Sequence, residues 1–252
     1  HLHSFQEDLN LPLQKNDMEQ ARKFMEQYAD FMQAVFPDLK ATHGHLLSPL
    51  KNISNFQKLR NQISETENTG NFFLKCDSDL PVAGSIKARG GFYEVLQFAH
   101  QLAVKEGILQ KDEVLDINKH NYKDLFSKYT IGVGSTGNLG MSIGIISAKL
   151  GFHVNVYMSH DAKEWKKALL RANGAHVLES DGDFGIAIAK GRKETLDNPM
   201  GYFVDDENSR QLYLGYSLAA YEIKKQLDNL NINIDKEHPL FVYGPCGVGG
   251  SP

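Results

Sequence analysis

From residue 71 onward the chain alternates short apolar runs with longer helical stretches, and this alternation limits its fold more than any other feature. Phe72–Lys75 reads as a strand. Gly90–Val104 reads as a helix with Phe92, Val95, Leu96, Ala99 and Ala103 on one face. Tyr129–Val133 is a second strand, followed by a glycine-rich turn and a helix that ends at Gly151. Residues 152–158 alternate strictly, with Phe152, Val154, Val156 and Met158 on one side and His153, Asn155 and Tyr157 on the other. Asp161 and Glu164 have the spacing of a capping box for a helix that Gly174 terminates. A strand (Ala175–Glu179), a helix (Phe184–Leu196) and a strand (Tyr202–Asp205) follow. Ser209 is placed to cap a helix carrying Leu212, Tyr216, Ala219, Ile223, Leu227 and Leu230 on one face, and Leu240–Tyr243 reads as a last strand. Strands separated by helices form βαβ units, so the expected class is α/β with a mostly parallel sheet.

Ahead of this region, Met18, Ala21, Met25, Tyr28, Met32 and Val35 recur at three- and four-residue steps. That spacing predicts one helix, capped by Asp17, stopped by Pro37 and packed through a methionine–aromatic face. Residues 38–70 read as loops and short helices, and the charged segment 105–128 as a surface excursion.

The composition excludes several classes of protein. The 252 residues are 41 % hydrophobic and 23 % charged with a formal net charge of −4, which fits neither a disordered chain nor a basic nucleic-acid binder. No apolar run is long enough for a membrane helix. Cys76 and Cys246 make no disulfide framework and fit a reducing cytoplasm. His43-Gly44-His45 has no Cys or carboxylate cluster around it, so no metal site is expected. The chain opens on His1 and stops at Gly249-Gly250-Ser251-Pro252, just after a strand, from which a missing C-terminal portion is expected.

Three segments can carry chemistry. Gly132-Val133-Gly134-Ser135-Thr136-Gly137 is a G-x-G-x-x-G between a strand and a helix, with Asp161 near the end of the next strand. By itself this suits a dinucleotide-dependent oxidoreductase, although close packing also selects glycines and Asp161 can be a helix cap. Gly244-Pro245-Cys246-Gly247-Val248-Gly249-Gly250 concentrates glycines after a strand, as a loop does when its N–H groups cradle a phosphate. Gly84-Ser85-Ile86-Lys87-Ala88-Arg89-Gly90-Gly91 sets a lysine among small residues just before a helix. A lysine so placed is a surface residue or, facing a bound aldehyde, a Schiff-base former.

In this order, the lysine motif, Gly134-Ser-Thr-Gly-Asn-Leu-Gly140 and the second glycine loop resemble the fold-type II pyridoxal-phosphate enzymes. Trp165-Lys-Lys-Ala168 and Asp205-Asp-Glu-Asn-Ser-Arg210 extend the likeness, which is closest to the D-serine ammonia-lyase branch of that family. Ile86, Thr136 and Leu139 favour that branch over the L-serine/threonine dehydratases. The resemblance implies two three-layer α/β domains of the tryptophan synthase β type, the larger incomplete here. Residues 1–91 would form a helical segment and the start of the large domain, 92–205 the small domain, and 206–252 the return to the large one. It further implies that Lys87 holds pyridoxal 5′-phosphate as an internal aldimine and that Asn138 bonds its ring oxygen. Gly247, Val248, Gly249 and Gly250 would bind the phosphate, and Ser135 and Thr136 the substrate carboxylate. Asp206 is the candidate second acid/base, with helix capping as its structural alternative.

The implied reaction is α,β-elimination on D-serine, with D-threonine a further candidate, through a carbanion and aminoacrylate to pyruvate and ammonia. The implied protein is a cytoplasmic monomer with no nucleic-acid or membrane partner. An L-specific lyase, the oxidoreductase and an inactive fragment remain as alternatives.

Overall fold

The computed structural model describes residues 11–65, 67, 70–181 and 184–244. The N-terminal stripe forms two helices, Lys15–Gln27 (α1) and Ala29–Val35 (α2), where its spacing predicts one. The bend falls at Tyr28, which is fully buried and still helically bonded on both sides: its N–H donates to the Phe24 carbonyl and its own carbonyl accepts from Met32 N–H. Its hydroxyl pairs with His100 Nδ1 at 2.9 Å. Asp17 lies inside the first turn and accepts from Gln14 N at 2.8 Å, so it caps from the third helical position and not from the N-cap. After α2 the chain reverses at His43 and Gly44, both left-handed at φ 51° and 83°. A Cβ on Gly44 would lie 1.9 Å from the Ala29 carbonyl oxygen, so only glycine fits.

Leu50–Asn52 (β1) pairs antiparallel with Phe73–Lys75 (β2), and Ser54–Ser64 (α3) lies between them in the chain. Three residues are too few to display alternation, which is why β1 is not legible in the sequence. Lys87–Lys105 (α4) follows, with Phe92, Val95, Leu96, Ala99 and Ala103 all fully buried. Segment 105–128 departs from expectation. Leu109, Leu115 and, in the short helix Tyr122–Phe126 (α5), Tyr122, Leu125 and Phe126 are buried, because widely spaced apolar anchors among charged residues still reach the core.

The sheet is built from Thr130–Gly134 (β3), His153–Ser159 (β4), His176–Ser180 (β5) and Gly201–Val204 (β6), all parallel, in the order β5-β4-β3-β6. Its crossovers are the helices Asn138–Leu150 (α6), Glu164–Ala172 (α7) and Phe184–Asp197 (α8), and Arg210–Asn229 (α9) follows β6. Val154, Val156 and Met158 are buried as the alternation predicts, and Tyr157 on the opposite face is buried as well, where α8 packs against it at Gly191. Asp161 does not cap α7: the N-cap is Lys163, and the Ser159 hydroxyl engages the Asp161 carboxylate before the helix begins. Ser209 does cap α9, accepting from Leu212 N at 3.1 Å. Leu240–Tyr243 belongs to no described sheet, and Phe241, Val242 and Tyr243 are exposed. An apolar run becomes a strand only beside a backbone that can pair with it, and no described strand pairs with this one.

The larger hydrophobic cluster among the described residues runs from Tyr28 and Met32 through Phe92 and Leu96 to Val154, Leu212 and Tyr216. Within it α4 and α9 cross closely. A Cβ on Gly215 would lie 2.6 Å from the Arg89 carbonyl oxygen, and one on Gly90 would lie 2.3 Å from the Tyr216 ring. Beside this crossing Arg89 is buried, donating to Leu46 O at 2.8 Å and pairing with Glu222 at 2.5 Å and Asp77 at 3.3 Å. Glu222 also accepts from Ser48 N at 2.8 Å and Lys75 Nζ at 2.7 Å, which ties β2 to both helices. Because the nearest neighbours of Gly215 are backbone atoms that cannot swing aside, Gly215→Ala should cost about 2 kcal/mol. Equilibrium denaturation would show it; an unchanged midpoint would mean that the helix pair relaxes freely.

Candidate active site

The parallel strands β3 and β6 end side by side, and their carboxyl ends open into a cleft of about 680 Å³. Such an end is where open α/β sheets collect ligands, because loops and helix N-termini converge there. The lining includes Ser85, Lys87, the run Gly134–Leu139, and Phe203 to Glu207. The structure therefore brings Lys87, Ser135, Thr136, Asn138 and Asp206 to one cavity from three separate stretches of chain. Gly247, Val248, Gly249 and Gly250 lie outside the described residues.

Lys87 is the first residue of α4, and its side chain is largely enclosed. Its Nζ lies 3.6 Å from Asp206 Oδ1 and 4.8 Å from the centre of the Tyr216 ring. The helix end is held by Ser142 on α6, whose hydroxyl donates to the Lys87 carbonyl at 2.9 Å. Gly90 and Gly91 bring Tyr216 and Ser142 this close, since a Cβ at either glycine would meet them at 2.3 Å. The small residues of the lysine motif thus set where the amine points. Asp206 Oδ1 and the Tyr216 hydroxyl are buried without a hydrogen-bond partner among the described residues.

Opposite the lysine, Gly137 caps α6 and Asn138 begins it. First-turn N–H groups of a helix lack intrahelical acceptors and favour an anion. Ser135 Oγ accepts from Gly137 N at 3.2 Å, and a Cβ on Gly137 would meet nothing closer than 3.9 Å, so backbone is open to the cleft here. Lys166 Nζ donates to Asn138 Oδ1 at 3.1 Å. An ammonium has only donors, so this contact leaves the Asn138 amide NH₂ for another partner. Asp205 is held by Arg192, Glu207 N (3.1 Å) and Asn208 (3.3 Å). Burial disfavours its charge, yet the hydrogen bonds from Glu207 N and Arg192 outweigh it and keep the carboxyl below its usual range.

The first two glycines of the G-x-G-x-x-G are occupied by packing. A Cβ on Gly132 would lie 2.4 Å from Thr195 Oγ1 and one on Gly134 2.7 Å from Ile188, both on α8. Asp161, the acid that a ribose would need, is turned to Ser159 and does not line the cleft. The oxidoreductase alternative loses its ribose-binding acid, and the glycine pattern it rests on is in part a packing pattern.

A family model described as pyridoxal-phosphate dependent enzyme matches residues 54–252, and the chain belongs to that family. A probable D-serine dehydratase of Fusobacterium nucleatum is 53 % identical over 243 residues, covering 96 % of this chain and 55 % of that protein. Another, of Halalkalibacterium halodurans, is 49 % identical over 254 residues, covering 100 % of this chain and 58 % of that one. The chain spans just over half the length of these relatives. Escherichia coli diaminopropionate ammonia lyase in apo form superposes with a TM-score of 0.66 at 16 % identity, over 87 % of this chain and 54 % of that one. A fungal L-serine ammonia-lyase from Rhizomucor miehei gives 0.53 at 21 % identity, over 73 % and 48 %. These likenesses show the shared α/β fold.

The described residues fit the cofactor that the family takes: an enclosed lysine amine, a buried carboxylate oxygen beside it that accepts no hydrogen bond, and an open helix N-terminus facing both. The sequence left Arg89, Tyr216, Lys166 and Glu94 without roles. Tyr216 is legible in the sequence only as one residue of a core-facing stripe, and Arg89 only as part of the lysine motif.

Glu94 is a buried acid on α4 that accepts from Tyr202 Oη at 2.9 Å and from Ser209 Oγ at 2.5 Å. Burial pushes its pKa from 4.5 up to about 7, against the hydrogen bonds from Ser209 and Tyr202 and with the charge of Asp205 adding to the rise. The folded state therefore holds this proton more tightly than the unfolded chain does. Its stabilising contribution is whole below about pH 4.5 and is lost as pH climbs through about 7, to a total of about 3 kcal/mol. Glu94→Gln should flatten that decline between pH 5 and 8 in urea denaturation. A variant that kept the full slope would assign the proton to another group.

Proposed function

We propose that this chain carries the lysine-bearing part of a pyridoxal-phosphate-dependent ammonia-lyase that converts D-serine to pyruvate and ammonia. The observation that carries the reading is the Lys87 amine 3.6 Å from a buried Asp206 oxygen that no hydrogen bond occupies, facing the N-terminus of α6 across one cleft. The choice of D-serine is supported by the names of relatives near 50 % identity, and by Ile86, Thr136 and Leu139 in the two motifs.

The cofactor, when bound, supplies an electron sink for the pair left as the Cα–H bond breaks. Lys87 would hold it through the side-chain amine. Asn138, its Oδ1 engaged by Lys166, would offer its NH₂ to the ring oxygen. Ser135, Thr136 and the first-turn N–H groups of α6 would bind the substrate carboxylate and fix which face of Cα meets the lysine. Asp206 would hold or move a proton at Oδ1, the atom nearest the amine. Gly247 to Gly250 would cradle the phosphate with backbone N–H groups. Ile188 and Phe203 form an apolar wall that limits water in the cleft.

On the same reading, residues 1–91 and 206–252 belong to a large domain and 92–205 to a small one, with Lys87 and Asp206 beside its two seams. The enzyme would act as a cytoplasmic monomer, and mass in solution tests the monomer. None of the described helices is long and apolar enough to cross a membrane.

Lys87→Ala should abolish the visible absorption band of the purified holoenzyme, and a retained band would overturn the assignment of the lysine. Pyruvate should form faster from D-serine than from L-serine; equal rates would move the reading to an L-specific lyase, and no pyruvate at all to an inactive fragment. Asp206→Asn should lower kcat by ~10²-fold with little change in melting temperature. A change in stability alone would make Asp206 a turn residue.

A further inference from the structure

Among the described residues, Glu94 is a buried acid that the proposed chemistry leaves without a role. It sits two turns along α4 from Lys87 and is only 2 % exposed. Its two oxygens reach two different elements: Oε1 accepts from Tyr202 at 2.9 Å on β6, and Oε2 accepts from Ser209 at 2.5 Å at the N-cap of α9. Tyr202 is fixed from its other side by the Phe98 ring, stacked at 4.2 Å between centroids. Ser209 is fixed by Leu212 N, from which its hydroxyl accepts at 3.1 Å.

Asp205 and Asp206 lie between these two anchors in the chain. One carboxylate thus pins both ends of the segment that presents Asp206, and that carboxylate stands on the helix whose first residue is Lys87. We propose that Glu94 is a positioning residue, its bonds to Tyr202 and Ser209 setting where Asp206 stands over the Lys87 amine. The inference rests on the reading of Lys87 and Asp206 as working residues of the cleft.

The pinning depends on the proton of Glu94. Both hydroxyls donate to the ionised carboxylate, whereas a protonated carboxyl must itself donate, so one of the two bonds reverses or is lost. The titratable and charged groups around Glu94 are Tyr202 on β6, Tyr216 on α9 and Asp205 in the intervening loop, with Arg192 on α8 paired to Asp205. Tyr202 and Tyr216 are both pushed far above the neutral range, chiefly by burial, so they stay protonated there. The Asp205 carboxyl is held below its usual range and is ionised there. Glu94 is thereby the group of this set that changes charge near pH 7, where burial has placed it.

The test follows the visible band of the bound cofactor, with kcat and KM for D-serine, from pH 5.5 to 8.5 in the holoenzyme. The variants are Glu94→Gln, Tyr202→Phe and Lys87→Ala. Wild type should show an inflection near pH 7 in kcat, absent from Glu94→Gln, whose kcat at pH 8 should be about fivefold lower with KM within about twofold. Tyr202→Phe removes a hydrogen bond that favours the charged carboxylate, so its inflection should move to higher pH. A merely structural role would lower the folded fraction and leave the position of the inflection alone. An inflection that persists in Glu94→Gln, or stays put in Tyr202→Phe, overturns the inference while the loss of the band in Lys87→Ala still supports the lysine. A band retained in Lys87→Ala overturns the reading of the lysine and the inference with it.

Discussion

The geometry of the cleft depends on how closely α4 and α9 cross. Gly90 and Gly215 remove the side chains that would hold the two backbones apart, and Tyr216 fills the space so that its ring lies under the Lys87 amine. The same crossing carries Arg89 and Glu222, a buried pair with hydrogen bonds to backbone on both partners. Ion pairs of this kind add little net stability, but losing one partner is costly, so they favour one arrangement over nearby alternatives. Here the favoured arrangement joins β1, β2, α4 and α9, the elements on the lysine side of the cleft.

The other side of the cleft is set by the parallel sheet. Strands β3 and β6 are neighbours in space but are separated in sequence by β4 and β5, so the loop at Gly134–Leu139 and the loop at Asp205–Asp206 meet only because the sheet is ordered 5-4-3-6. Gly132 and Gly134 let α8 press against β3, and that contact places α8 along the cleft wall. A glycine pattern that looks like a nucleotide fingerprint is here partly a packing pattern. Its later part, Ser135 to Asn138, faces the cleft.

Much of the fold was legible in residues 129–229, where apolar alternation is strict and helices carry continuous faces; the four sheet strands and α6 to α9 fall close to where periodicity places them. Legibility failed where the signal is short or depends on a partner. Strand β1 has three residues, and Leu109, Leu115 and Phe126 are isolated anchors in a charged segment. Leu240–Tyr243 has the composition of a strand without a described neighbour to pair with. Asp17 and Asp161 show the limit of capping signals: both are near helix starts, but a carboxylate bonds whichever donor the backbone turn presents.

The sequence by itself determined the α/β class, the family resemblance and the candidate residues, because periodicity and chemical type are properties of local chain. It marked Lys87, Ser135, Thr136, Asn138 and Asp206 without showing that they share a cavity. Only the tertiary structure decided that the lysine faces Asp206 across 3.6 Å, that Lys166 orients Asn138, and that Glu94 bonds both flanks of Asp206. Most of those relations join residues more than a hundred positions apart, as Glu94 is from Tyr202 (108) and Ser209 (115). They exist because burying one apolar core forces particular helices and strand ends together, and no local propensity encodes which ends meet.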